Sequence, residues 1–188
     1  KEYKKTYTAA QTLSRLTEED KKEISYLESV LESIERCRSI AEIGEIREEL
    51  CLAGYIKRPV GKGKPKQNIS KPLEYVSSEG FRILVGKNNL QNDYITTRLA
   101  SKNDLWFHTK NIHGSHVIVM CEGKEVSDET IIFAATLAAK NSKAKNSSQV
   151  PVDYTPVKFV KKPNGAKAGM VIYTTNKTVF VDPEREVN

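Results

Sequence analysis

Leu13, Leu16, Ile24, Leu27, Leu31 and Ile34 fall on three- and four-residue spacings, and the stretch from Thr17 to Leu50 holds no proline and one glycine, Gly44. That period predicts one long helix with a single apolar seam. Between the seam positions lie "EEDKKE" and many other charges, so the remaining faces are polar and the helix has no core of its own. A lone stripe of this kind demands a partner. Two partners satisfy it: a second copy of the chain, or an antiparallel arm from sequence outside it, which would make the chain a carboxy-terminal fragment. After Ser39 the pattern restarts with Ile40, Ile43, Ile46 and Leu50, which predicts a shorter helix packed at the base and ended by Gly54.

Charge divides the chain further. Residues 1–53 carry 9 Lys/Arg against 12 Asp/Glu, a net of −3, whereas residues 54–188 carry 21 against 12, a net of +9. The second part is fitted to attract a polyanion, and a solvated basic surface is the plain alternative. Between the two lies "KRPVGKGKPKQNISKP", residues 57–72, with three prolines, two glycines, six positive charges and no negative one. It cannot bury enough apolar surface to fold by itself, so it reads as a basic tether, with a phosphate grip ordered on binding as the second reading. The expected organisation is a coiled-coil arm and short basal helix over residues 1–56, a linker over 57–72 and a folded module over 73–188. Cys37, Cys51 and Cys121 are odd in number and lack CxxC spacing, which speaks against a disulfide framework or a cysteine zinc site. No run of eighteen apolar residues and no signal peptide is visible, so a cytoplasmic setting without membrane attachment is expected.

From Leu73 onward the pattern is mixed. "LEYV" and "FRILV" flank "SSEG" as a hairpin, and Asn88 or Asn89 caps a helix running to about Ala100. "DLWFHT" and "HVIVMC" read as strands. Ser127 caps a second helix with Asp128 and Glu129 at its positive end and a small-residue face in "IIFAATLAA". "VKFV", "GMVIYT" and "TVFV" supply three more strands, the last two joined by a tight turn at Asn176-Lys177. The expected class is α+β, a mixed or antiparallel sheet with two packed helices, preceded by the long coiled-coil-type helix.

"NDLWFHTKNIHGSHVIVM", residues 103–120, gathers the one tryptophan and all three histidines. Strand alternation places Asp104, Trp106 and His108 on one face and Leu105 and Phe107 on the core face. Three uses compete for the first face. Metal binding by His108, His113, His116 and Asp104 is one, but H-x4-H-x2-H across a turn matches no common ligand signature. Acid–base chemistry by Asp104 and His108 is another, though no nucleophile or oxyanion motif accompanies it. The preferred use is structural or recognition: Asp104 and His108 orient a loop, and Trp106 either packs in the core or offers a face to a nucleotide.

Downstream, residues 140–177 hold eight lysines and one acid, Asp153, and no arginine. Within them "KKPNGAKAG", residues 161–169, forms a turn with backbone N–H groups between lysines, as a phosphate-contacting loop would. Lysines hold phosphate without the bidentate base reading of arginine, so binding of structured RNA by shape and charge is expected.

These blocks also carry a resemblance. "LVGKNNLQNDYITTRLASKNDLWFHTKNIHGSHVIV" and "AATLAAKNSKAKNSSQVPVDYTPVKFVKKPNGAKAGMVIY" resemble the NFACT-R domain of the RqcH/NEMF-type family, whose bacterial members were once called fibronectin-binding protein A-like. The likeness covers about residues 73–182, and "EIREEL" and "GYIK" resemble the close of that family's returning coiled-coil arm. It implies a ribosome-associated quality-control factor that binds the large ribosomal subunit and tRNA, typically alanyl-tRNA in bacteria. Such factors support carboxy-terminal alanine tailing of stalled chains, while the ribosome forms the bonds. By resemblance Asp104, Trp106 and His108 match the D-x-W-x-H motif, Asn92 and Asp93 the N-D element, and Lys161, Lys162 and Lys167 the basic turn. The candidate RNA-binding set adds Arg98, Lys110, His116, Lys140 and Lys143 to these. No enzyme activity, cofactor or metal is expected of this part. The family's amino-terminal domain, helix-hairpin-helix module and outgoing arm have no counterpart in the sequence, so tailing by this chain alone is doubtful and dimerisation through the unpartnered helix is expected. A fibronectin-binding surface adhesin and a metal-dependent hydrolase stand as the alternatives.

Overall fold

The computed structural model describes residues 2–58 and 70–184; most of the expected linker therefore lies outside the described residues. Helix α1 (Glu2–Glu35) runs unbroken for 34 residues, about 50 Å at 1.5 Å per residue. Helix α2 (Ile40–Leu52) follows a sharp reversal, with the Ser39 side chain accepting from the Glu42 N–H as its cap. Gly54, at a φ of +86°, closes it.

Only the carboxy-terminal end of α1 is buried, and by a face other than the seam. Tyr26, Val30 and Ser33 are buried, with Tyr26 and Val30 packing on Ile46 of α2 and on Leu50, Cys37 and Met170. Leu13, Leu16, Ile24, Leu27, Leu31 and Ile34 are all exposed. The helix thus carries two stripes about one residue apart, one used within the chain and one unpartnered among the described residues.

The folded module is a six-stranded antiparallel sheet in the order β1-β2-β4-β3-β5-β8. Its strands are β1 (Leu73–Val76), β2 (Arg82–Val85), β3 (Leu105–Thr109), β4 (Val117–Val119), β5 (Val150–Pro156) and β8 (Lys177–Val181). A separate pair, β6 (Val160–Lys161) and β7 (Ile172–Tyr173), frames the "KPNGAKAG" turn. Strand alternation sorts the two faces. Ile83, Val85, Phe107, Val117 and Val119 meet helix α4 (Asp128–Lys140), whose fully buried Ala134, Ala135, Ala138 and Ala139 let it lie close to the sheet. On the other face Leu84, Trp106 and Ile118 form a second core with Ile95, Val157, Val160, Val171 and Tyr173. Helix α3 (Asn89–Tyr94), capped by Asn88, continues into a π-helical turn, Ile95–Leu99, on that same face. No helix of the described residues is long and apolar enough to cross a membrane.

The α+β class, the caps at Asn88 and Ser127 and the first hairpin agree with the sequence. Two expectations are corrected. The hairpin at Asn176-Lys177 does not form: β7 pairs with β6 and β8 with β5. Strand β5 went unread because Pro151, Asp153 and Pro156 disfavour strand structure, yet it pairs along its length with β3 and β8. "VKFV" is a 3-10 turn followed by the two residues of β6.

Trp106 is 0% exposed and makes no hydrogen bond through Nε1 among the described residues, so its contribution is packing. Replacing it by alanine is expected to lower the unfolding free energy by about 3–5 kcal/mol, and Trp106→Phe by clearly less, because no hydrogen bond is broken. Denaturant melts of the two variants check this; a Trp106→Ala protein as stable as the parent would refute the core assignment.

Candidate nucleic-acid interface

The short α3 region does most of the positioning. Gly86 precedes it because a Cβ there would collide with the Asn92 side-chain oxygen. Asn88 Nδ2 donates to Glu45 (2.6 Å) and Asn89 Nδ2 to Ser29 Oγ and Glu49 (both 2.9 Å), which fastens the module to α1 and α2. Asn92 Oδ1 accepts the His116 N–H at 2.9 Å while its Nδ2 donates to the Gly114 carbonyl at 3.3 Å, fixing the "HGSH" loop. Asp93 accepts the Gly169 N–H at 3.0 Å and pairs with Lys162, fixing the basic turn. Gly169, at a φ of +76° and with Asn89 2.6 Å from where its Cβ would stand, suits no other residue.

Asp104 does not pair with His108 as the strand alternation suggested. It lies just ahead of β3 and accepts the Ser101 and Cys121 N–H groups at 2.7 and 2.8 Å, tying two loops. His108 instead stacks on Trp106, with centroids 5.7 Å apart and planes at 16°. His116 meets both rings edge-on, and Tyr173 leans on Trp106 at 4.8 Å. His116 Nδ1 shares a 2.9 Å bond with Thr96 Oγ1. Burial pushes His108 down to about 4, with His113 adding to the shift. Burial also holds His116 well below its ordinary value, aided by His108. Among the described residues no three of His, Cys, Asp and Glu converge as a metal-binding group. His113 lies 3.2 Å from Glu28 of α1.

The lysines divide into two sets. Lys162 pairs with Asp93, Lys110 lies 3.8 Å from Asp153, and Lys167 pairs with Glu23 between the rings of Tyr26 and Tyr55, each 4.6 Å from its Nζ. The turn lysines therefore bind the chain to itself first. Arg98, Lys140, Lys143 and Lys161 are exposed and have no ion pair among the described residues. A cleft of about 260 Å³ brings Lys140 together with Arg36, Arg38, Lys87 and Lys145, against Glu35 and Glu42. Arg36 and Lys87 were not legible as site residues, since they come from separate segments. Asp153 and Tyr173 were also missed; the buried Asp153 accepts the Tyr173 hydroxyl (2.8 Å) and that of Thr178 (2.5 Å).

The depressed histidines set a pH dependence. Unfolded imidazoles take up a proton near 6.5, whereas folded His108 resists until about 4 and His116 is also held well below its ordinary value. Between those values the unfolded state binds more protons, so stability falls as pH drops through that window. Melting temperatures between pH 7 and 4.5 should decline, and less steeply in His108→Gln; equal slopes would refute the assignment.

Residues 71–174 match the family described as NFACT protein RNA binding domain, and residues 1–69 match NFACT N-terminal and middle domains. The chain is 48% identical over 166 residues to the Rqc2 homolog RqcH of Bacillus subtilis, covering 87% of this chain and 29% of that protein. It is 46% identical over 187 residues to RqcH of Streptococcus suis, covering 99% and 33%. It is also similar to the solved structure of the C-terminal part of the fibronectin/fibrinogen-binding protein from Streptococcus suis, with a TM-score of 0.88 and 46% identity, covering 97% of this chain and 72% of that one. The chain spans about a third of the curated relatives it matches. With its RNA-binding module and adjoining arm both matched, the chain belongs to the NFACT family.

Proposed function

We propose that this chain is the RNA-binding and docking part of a ribosome-associated quality-control factor acting in the cytoplasm. It engages the large ribosomal subunit and tRNA, alanyl-tRNA in the bacterial setting, in support of carboxy-terminal alanine tailing, with bond formation left to the ribosome. The observation that carries this reading is the match of residues 71–174 to an RNA-binding domain whose surface holds cations without partners among the described residues. On this reading Arg98, Lys140, Lys143 and Lys161 meet phosphates. Asn92, Asp93, Asp104, Trp106 and His116 hold the frame, and Lys110, Lys162 and Lys167 contribute after exchanging an internal carboxylate for phosphate. His108 belongs to the frame, stacked on Trp106. Residues 1–56 form the arm, 57–72 the tether and 73–188 the module.

Counterion release makes such binding steeply salt-dependent. Titration against purified large subunits and against free tRNA should show saturable binding that weakens as salt rises. Combined Lys140→Ala, Lys143→Ala and Lys161→Ala should make the log–log slope shallower by about one for each phosphate no longer neutralised. Binding insensitive to salt and to these changes would sink the reading. Saturable, salt-insensitive binding to fibronectin instead would favour the adhesin named for the Streptococcus suis structure.

The exposed seam accepts an antiparallel helix in the longer protein, and in the isolated chain it pairs two copies. Sedimentation should detect a dimer that Leu27→Glu with Leu31→Glu dissociates; a monomer at high concentration would rule out self-pairing.

A further inference from the structure

A cavity of about 230 Å³ opens where α1 crosses the second face of the sheet. Its walls include Ser25 and Tyr26 of α1, Trp106 and His108 of β3, the loop residue Asn111, and Tyr173 of β7. Among the described residues no Asp, Glu, Lys or Arg lines it. Of its three lining histidines, His108 and His116 are held in the neutral form by burial, and His113 lies 3.2 Å from Glu28. Aromatic rings form one side, while amides and hydroxyls line the rest. The Trp106 Nε1–H, closed off from solvent in the same wall, lacks an acceptor among the described residues.

The rim has the opposite character. Lys167, paired with Glu23, stands 4.6 Å over the Tyr26 ring. An aromatic-walled interior without lysine, arginine or carboxylate side chains, with Lys167 at its edge, suits a planar heterocycle whose attached phosphate remains outside. Size limits the guest further, because drug-sized ligands occupy about 300–1,000 Å³ and this cavity is smaller.

We infer that this cavity receives one unstacked nucleobase, inserted between α1 and the Trp106–His108 wall with its phosphate toward Lys167. The inference rests on the RNA-binding reading and adds to it a site for a single-stranded base. The shared chemistry is the base with its phosphate, whether on a free nucleotide or in a chain. Because α1 forms one wall, filling the cavity also reports whether the arm and the module are in register.

Trp106 is the only tryptophan in the chain, so its fluorescence reads the site directly. The whole chain is titrated with the four nucleoside monophosphates, with single-stranded hexanucleotides of each base and with an RNA duplex. Emission is followed in parallel with the anisotropy of labelled RNA. A saturable change in Trp106 emission with single-stranded RNA and none with the duplex is expected. Ser25→Leu fills the cavity from a helix position that tolerates leucine and should weaken the response at least tenfold at an unchanged melting temperature. Asn111→Gly, which keeps that residue's positive φ of 55° accessible, should weaken it independently, so the test survives if the leucine variant folds poorly. Mononucleotides giving the same variant-sensitive change support a site for free nucleotides, and hexanucleotides alone giving it support a site for chain RNA. RNA that binds by anisotropy without altering Trp106 emission, or that is unaffected by both variants, overturns the cavity inference and leaves RNA binding intact. No binding of any RNA overturns both.

Discussion

The side-chain amide of Asn92 bridges the backbone on either side of Ser115 and fills the space beside residue 86. It accepts from the His116 backbone, donates to the Gly114 carbonyl, and occupies the volume that a side chain at residue 86 would need. Its neighbour Asp93 holds the backbone at Gly169. The six residues of α3 and their cap Asn88 therefore set the loop after β3, the turn before β7 and, through Asn88 and Asn89, the buried carboxylates of α2. Those carboxylates are costly to place without donors. Glu45 receives donors from Ser70, Asn88 and Gln91, whereas burial pushes Glu49 up. The module and the base of the arm are thus joined by a polar network as well as by the small apolar cluster around Tyr26, which gives the joint orientation in addition to adhesion.

That construction changes what the basic turn does. Lys167 is a strap: its ammonium lies between two tyrosine rings and meets Glu23 of α1, while its own turn is anchored by Asp93. A lysine in that position is partly desolvated and already paired, so phosphate must displace a carboxylate to reach it. Exposed Lys140, Lys143 and Lys161 face no such competition among the described residues, and the electrostatic attraction of a polyanion falls first on them. The arm also contributes to the cation cluster, since Arg36 and Arg38 meet Lys87 and Lys140 in one cleft. The cations of that cleft thus come from both of the parts that the composition had separated.

Local patterns were legible and long-range ones were not. Asn88 and Ser127 each cap a helix, as the residue types and the following turns indicated. Alternation correctly put Leu105 and Phe107 on one face of β3 and Trp106 on the other. Strand β5 was hidden because its prolines and Asp153 run against strand preference; pairing on both sides overrides that preference. The partner of His108 was misassigned for a similar reason. Proximity along a strand pointed to Asp104, but the backbone N–H groups of Ser101 and Cys121 claim that carboxylate, and across the sheet the residue opposite His108 is Asp153. The second stripe of α1, Tyr26, Val30 and Ser33, was masked by its serine and by the stronger seam beside it.

The two stripes together explain how one helix can serve two neighbours. Residues 26, 30 and 33 turn toward the module, while Leu27, Leu31 and Ile34 lie about 100° further round and stay exposed. A helix packed on the seam would not displace the module, and the module does not cover the seam. The nucleobase cavity lies against the first stripe, walled by Ser25, Tyr26 and Ser29. A rotation of α1 imposed through the seam would therefore move that wall against Trp106 and His108, coupling whatever grips the arm to whatever occupies the cavity.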